Sequence, residues 1–322
     1  MSFLRHDLDG PLATHRGAVV AIGNFDGVHR GHQAVLSQAL EIARERGLPA
    51  LVLSFEPHPR TLFKPEAPVF RLTPPPLKGR VLEAMGFDGL VTLPFTREVA
   101  ATGAADFVKT FLVERLGAAH VLTGYDFHFG SRRSGTPDTM REAGREHGFG
   151  VSIVERFADD EDAVSSSRVR RLLGSGDVTG AAALLGYRWM IAGSVVPGAR
   201  LGRTLGYPTA NIVPGADNRM AHGVYAVRLR VGGTVHDGVA SWGRRPTFDN
   251  GPPWLETFVF DFDDDIYGEW IEVSMFERLR GEEKFDSADA LVEQMRRDES
   301  RAREILARAE PLSALDRTLN FA

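Results

Sequence analysis

The sequence predicts a chain in two parts: an α/β domain built on a parallel sheet, then an antiparallel β-barrel carrying a long C-terminal helix. Three observations predict this. Residues 18–185 alternate short apolar runs with stretches of helical period, the pattern of successive βα units. From Trp189 onward the period falls to two and tight-turn signals recur, as in small barrels. The length, 322 residues, exceeds what one hydrophobic core usually serves.

The first βα unit carries the strongest signal. Ala18–Ile22 has the length and β-branched content of a buried strand, and Gln33–Arg46 places Val35, Leu36, Ala39, Leu40 and Ala43 at helical spacing. Between them lies a glycine-punctuated turn, Gly23-Asn24-Phe25-Asp26-Gly27-Val28-His29-Arg30-Gly31-His32. Glycines let a backbone approach an anion, and the first helical N–H groups point at it. The turn has neither the P-loop pattern nor the dinucleotide GxGxxG spacing. It holds two imidazoles at i and i+3 around Gly31, donors suited to charge building on an α-phosphate. Half of a zinc site is the competing reading; the intervening glycine and the absence of cysteine weaken it. GNFDGVHRGH resembles the HxGH signature of the nucleotidyltransferase superfamily, in the form carried by bacterial bifunctional riboflavin kinase/FAD synthetases. The resemblance implies a Rossmann-like nucleotidyltransferase domain, with His29 and His32 catalytic and Gly23, Asn24, Phe25, Asp26 and Gly31 lining the nucleotide.

Further along, Ala50–Phe55 reads as a second buried strand ending in Glu56-Pro57-His58-Pro59. The family has a matching FxPHP, which places His58 in the nucleotide or flavin pocket; a polar loop histidine is the plainer alternative. Lys78–Met85 reads as a helix, Gly89–Leu93 as a strand, Ala105–Leu116 as an amphipathic helix and Ala119–Thr123 as a strand. The last runs into Gly124-Tyr125-Asp126-Phe127-His128-Phe129-Gly130, similar to the family's G-x-[DN]-F-x-F-G. That match assigns Asp126 to a ribose or ribityl hydroxyl and Phe127 to a ring. Ser131–Gly135 is a basic loop, and Val151–Glu155 closes the sheet.

Ser165, Ser166 and Ser167 precede an apolar-periodic segment, where hydroxyls cap helices. With Arg170 they resemble the superfamily's second signature, ISSTxIR, which implies a clamp for departing pyrophosphate. Ser167 replaces the usual Thr and keeps the hydroxyl. Gly174–Gly186 reads as a helical joint, and the domain boundary is placed at 186/187, giving domains 1–186 and 187–322.

In the second half, Trp189–Val196, Gly223–Val231, Thr234–Ser241, Leu255–Phe262 and Trp270–Phe276 read as strands, with Gly232-Gly233 as a hairpin turn. Phe285–Arg308 reads as one charged amphipathic helix. Between the first strands, GRTLGYPTAN (202–211) resembles the riboflavin kinase signature GRxLGxPTAN. The match implies Gly202, Arg203, Gly206 and Pro208 at the nucleotide, with Thr209 and Asn211 as oxygen ligands of Mg²⁺–ATP. Gly243 and Thr247 fall in a segment like the family's NxGxxPT, where Ser241 stands for the usual Asn. Pro197 stands where the family often has His, and the hinge usually reading RPY is Tyr187-Arg188-Trp189. Glu256 matches the family's proposed general base.

Composition bounds the rest. A formal net charge of −5 without a long basic run argues against general nucleic-acid binding. The absence of cysteine removes disulfides and thiolate metal sites and fits a reducing compartment. No apolar run approaches a membrane span. The expectation is a cytoplasmic monomer or weak homo-oligomer acting on ATP, riboflavin and FMN, with FAD as product, Mg²⁺ as cofactor, and neither nucleic-acid nor membrane partners. The alternative is an FMN adenylyltransferase whose barrel is a non-catalytic flavin-binding module.

Overall fold

The computed structural model describes residues 2–155, 164–198, 202, 205–215, 217–244 and 252–322, and it divides the chain into two compact units. The first comprises Met1–Val69 and Thr73–Ser165; the second comprises Phe70–Leu72 and Ser166–Ala322.

The first unit is a six-stranded, wholly parallel sheet: β1 Leu4–Asp7, β2 Val19–Ile22, β3 Ala50–Glu56, β4 Gly89–Pro94, β5 His120–Gly124 and β6 Gly150–Val154, in spatial order β1-β4-β3-β2-β5-β6. Helices α1 Arg30–Arg46, α2 Pro59–Phe63, α3 Pro75–Met85, α4 Arg97–Ala101, α5 Ala104–Phe107 and α6 Pro137–His147 fill the crossovers. A π-helical stretch, Val108–Leu116, continues α5. β2 and β3 are buried along nearly their whole length, which is why they read as unbroken apolar runs. The chain steps from β2 to β3 and β4 on one side, then returns to β5 on the other side of β2. That reversal is a topological switch point, where α/β sheets open a crevice at the carboxyl ends of their strands. The three segments singled out in the sequence, after β2, β3 and β5, all leave from this edge.

The second unit begins with helices α7 Ser166–Ser175 and α8 Val178–Leu185. An antiparallel sheet follows: β7 Met190–Ser194, β8 Thr209–Ile212, β9 Gly223–Val231, β10 Thr234–Gly243, β11 Trp254–Val259 and β12 Trp270–Arg280, in order β7-β12-β9-β10-β11-β8. The predicted hairpin is present, Gly232 and Gly233 having φ of 56° and 90° as a two-residue turn of the I′ kind requires. The barrel is half-closed rather than sealed. Just beyond β7, Val196 bridges to β8, its N–H donating to the Asn211 carbonyl at 2.8 Å. Pro197 follows with no N–H to extend the ladder.

Helices α9 Ala288–Ala307 and α10 Ala314–Asn320 complete the unit. α10 is pinned by a buried ion pair, Arg188–Asp316. Asp316, with no exposed surface, also accepts from the Leu312 N–H at 3.0 Å and the Asn320 amide at 2.8 Å. Removing one partner of such a pair leaves the other charge buried, at a cost of about 3–5 kcal/mol. The altered hinge is therefore built into the core of this unit. Tyr187 and Trp189 on either side of Arg188 are buried, and the Trp189 indole donates to the Leu72 carbonyl at 2.8 Å.

Candidate functional site

In the first unit the turn after β2 delivers His29 as the N-cap of α1, with its Nδ1 accepting the His32 N–H at 3.3 Å. The helix thus starts three residues earlier than apolar periodicity indicates, because an imidazole does the capping. The two rings stack, centroids 3.6 Å apart and 18° from parallel, and the Phe25 ring meets His32 edge-on at 5.4 Å. Gly31 makes room for the stack: a Cβ there would press to 3.3 Å on the His29 ring. Gly23 does the same for Phe25, whose ring would lie 2.9 Å from an added Cβ. The spacing of the motif is therefore a packing requirement for placing two imidazoles face to face at a helix N-terminus.

Burial, then the neighbouring His29 and Lys78, hold the His32 imidazole well below the ordinary histidine value, so it is neutral at pH 7. Its Nδ1 and the Asn24 Oδ1 are buried and lack hydrogen-bond partners among the described residues. Asp26 is buried and accepts from Thr73, through the backbone N–H at 3.0 Å and the hydroxyl at 3.4 Å.

The other predicted residues of this unit have varied settings. His58 caps α2, its Nδ1 accepting the Arg60 N–H at 3.1 Å. Asp126 is exposed just beyond β5, and Phe127 stacks on Phe129 at 5.8 Å. Phe129 belongs to the hydrophobic core, while Phe127 is only partly buried against it. Ser165 ends the first unit. Ser166, Ser167 and Arg170 stand on α7 in the second unit, where the Arg170 Nε donates to the Phe70 carbonyl at 2.7 Å.

A second histidine, His120 at the start of β5, is also lowered from the ordinary value of 6.5, by burial and then by Arg46. A folded unit that keeps His32 and His120 neutral binds fewer protons than its unfolded chain once the pH drops below about 6.5. Stability is then level above pH 7 and declines as the pH falls through 6.5 toward the lower folded values. Thermal unfolding of the wild type is expected to shift down between pH 7 and 5, and less steeply in His120→Gln. Identical slopes for the two proteins would contradict the assignment.

In the second unit the register brings two predicted site residues, Asn211 and Glu256, side by side with Ser241. Asn211 of β8 lies directly opposite Glu256 of β11, and Glu256 directly opposite Ser241 of β10. Directly opposed residues share a face of the sheet, so this is a row of carboxamide, carboxylate and hydroxyl. Thr209, two residues from Asn211, shares that face, and its hydroxyl donates to the Asn211 Oδ1 at 3.5 Å. Gly202 anchors the turn ahead of β8, its carbonyl accepting from Leu205 and Tyr207 N–H at 3.0 and 2.8 Å, with Gly206 between them. Pro208 and Thr209 line a cavity of about 230 Å³ with Val195, Val259, Phe262 and Tyr267. Gly243 ends β10, opposite Trp254. Arg203 and Thr247 lie outside the described residues.

Sequence reasoning misses β8, which reads as part of a glycine-rich loop, and with it the Asn211–Glu256 register. It also misses Thr73 and Lys78, which hold the turn after β2 from 46 to 54 residues away. The Lys78 ammonium is buried and donates to the Asn24 carbonyl and the Ser54 hydroxyl, each at 2.6 Å.

Stacked imidazoles at a helix N-terminus and an oxygen-rich row on a half-barrel are both arrangements suited to phosphate groups, as in nucleotide-using transferases. Family comparison narrows this. Residues 12–168 match the model described as FAD synthetase, and residues 185–306 match riboflavin kinase. The bifunctional riboflavin kinase/FMN adenylyltransferase of Escherichia coli K12 is 39% identical over 300 residues, 93% of this chain and 96% of that one. The Bacillus subtilis protein of the same name is 36% identical over 292 residues, 88% and 91% of the two chains. A crystal structure described as a macrolide-efflux protein from Streptococcus pneumoniae is 34% identical, with a TM-score of 0.78, covering 90% of this chain and 95% of that chain. The chain belongs to the bifunctional riboflavin kinase/FMN adenylyltransferase family. Among the described residues no helix is long and apolar enough to cross a membrane.

Proposed function

We propose that this chain makes FAD from riboflavin in two ATP-dependent steps, each at its own site. The observation that carries the reading is the near full-length match to bifunctional relatives, spanning both family models.

In the first step the riboflavin 5′-hydroxyl attacks the γ-phosphorus of ATP, releasing ADP and giving FMN. An alcohol is a poor nucleophile at neutral pH, and the Glu256 carboxylate takes its proton as the new P–O bond forms. Thr209 and Asn211 would hold Mg²⁺, as the resemblance assigns them. Their fit rests on chemistry and spacing: both offer hard oxygens, 3.5 Å apart. Oxygen ligands of this kind are what Mg²⁺ prefers. When bound, the metal neutralises charge on the transferring phosphoryl group. Gly202, Arg203, Gly206, Pro208, Gly243 and Thr247 line the nucleotide.

In the second step the FMN phosphate attacks the α-phosphorus of a second ATP, and pyrophosphate leaves. The nucleophile is already an anion and needs no base; the difficulty is bringing anions together. Neutral His32, with His29 and the N-terminus of α1, supplies hydrogen-bond donors to the α-phosphate as charge develops there. Ser165, Ser166, Ser167 and Arg170 receive the pyrophosphate, as the resemblance assigns them. Asp126, Phe127 and His58 contact the flavin or ribose. The domain division at 186/187, a cytoplasmic setting, and a monomer or weak homo-oligomer with small-molecule partners alone complete the reading.

The test is to incubate purified protein with riboflavin, ATP and Mg²⁺ and separate the flavins over time. FMN appearing first and FAD after it is the expected course. Riboflavin left untouched while added FMN becomes FAD would leave the barrel a non-catalytic flavin-binding module.

A further inference from the structure

The turn that carries the two histidines is held in an unfavourable shape. Phe25 and Val28 have φ of 43° and 39°, in the left-handed region that is unfavourable for any residue but glycine, and most for a β-branched one. Such a turn persists only where its surroundings over-determine it. The restraints come from the segment that opens α3. The Gly27 N–H donates to the Thr73 hydroxyl at 2.8 Å, Asp26 accepts from Thr73, and Lys78 holds the Asn24 carbonyl. On the other side the Gln33 side chain donates to the Val28 carbonyl at 2.7 Å.

Lys78 is the unexpected member. It is 1% exposed, on a helix whose neighbouring buried positions, Leu77, Val81 and Leu82, are apolar. An ammonium there is desolvated at a cost that a methionine of similar length would avoid. Its two short hydrogen bonds run to the Asn24 carbonyl, one residue before Phe25, and to Ser54 near the carboxyl end of β3. Ser54 also donates to the Asn24 carbonyl, at 3.3 Å, so cation, hydroxyl and carbonyl form one closed triangle under the turn. Asn24 is thereby fixed to strand β3 and to helix α3 at once.

We infer that Lys78 is a positioning residue for adenylyl transfer: its ammonium pins the Asn24 carbonyl and so sets the strained turn on which His29 and His32 stand. Buried as it is, Lys78 acts through the turn and not by touching substrate. Its charge has a second effect. The titratable groups acting on the His32 ring are His29 from the turn and Lys78 from α3, and both disfavour the imidazolium. A neutral residue at 78 therefore both loosens the turn and lets His32 protonate at higher pH.

The inference rests on the adenylyltransferase reading above, and the experiment separates the two. FAD formation from FMN, riboflavin phosphorylation and ¹⁵N-histidine NMR titration are followed in the wild type, Lys78→Met and Lys78→Gln. Lys78→Met keeps the apolar stem and removes the charge and donors; Lys78→Gln restores a donor without the charge. The expected result is a fall of about 100-fold in kcat for FAD formation in Lys78→Met, the scale of a 1 Å misplacement at a reacting centre. KM for FMN stays within a few-fold, riboflavin phosphorylation within two-fold, and Lys78→Gln falls between Met and wild type. In both variants the His32 resonance titrates at higher pH than in the wild type. A folded Lys78→Met with wild-type kcat, or an unmoved His32 titration, overturns the role of Lys78. Should Lys78→Met not fold, a folded Lys78→Gln with wild-type kcat and titration overturns it equally. A wild-type protein that makes no FAD from FMN overturns the adenylyltransferase reading itself, whatever Lys78 does.

Discussion

Glu256→Gln is expected to lower riboflavin phosphorylation by about 10²–10⁴-fold, the range of a positioned general base, while FMN is still converted to FAD at the wild-type rate. The substitution is nearly isosteric and falls on a partly exposed position of β11. Folding is therefore little affected, and the ladder bonds of β11 to β8 and β10 are made by backbone groups the change leaves alone. On the proposed reading it removes the acceptor for the 5′-hydroxyl proton, on the strand face that Glu256 shares with Asn211. Steady-state assays of each half-reaction check this, with circular dichroism confirming the fold. Equal loss of both activities in a folded variant would defeat the assignment of separate sites. Unchanged phosphorylation would remove Glu256 from the role of base.

That Glu256 and Asn211 lie opposite each other was not legible from their spacing. They are 45 positions apart, on strands that are sequence neighbours of other elements, and only the β8–β11 register sets them opposite. β8 itself was hidden, because a four-residue strand directly after a glycine-rich stretch shows too little alternation to separate from a loop. β1 escaped notice for a different reason: Leu4–Asp7 lies at the sheet edge with alternating exposure, and its charged residues mask the apolar ones. The central strands β2 and β3 were plain because burial on both faces makes apolar runs obligatory. The α/β-then-barrel order was legible for the same kind of reason, a change of hydrophobic period that the chain must make when its architecture changes.

The histidine pair was legible because its geometry is local: capping, stacking and the Gly31 clearance are all settled within four consecutive residues. What supports the pair was not. Thr73 reaches the turn from the segment just before α3 and Lys78 from α3 itself, which the sequence shows only as one more helix. A polar group buried by tertiary contact carries no period of its own. The aromatic pair after β5 was half legible: Phe129 went to the core and Phe127 to its margin, a division set by how the chain leaves the sheet and not by residue type.

The converse experiment to the Glu256 substitution is His29→Ala combined with His32→Ala, which is expected to take adenylylation below detection and leave riboflavin phosphorylation within two-fold of wild type. The size follows from what the rings do. A preorganised donor at a developing oxyanion is worth about 10²–10³-fold, and two acting on one phosphate remove more than most assays can follow. Single substitutions should be less than additive in combination. The rings are stacked at 3.6 Å and His29 accepts the His32 N–H, so losing either one displaces the other. His29→Ala carries a further penalty, because it strips the N-cap of α1 at a cost of about 1 kcal/mol. His29→Asn restores a cap without an imidazole and separates the two effects: thermal stability should return while FAD formation does not. Recovery of FAD formation in His29→Asn would make His29 a helix cap with no part in the transfer, and would leave His32 to carry it alone.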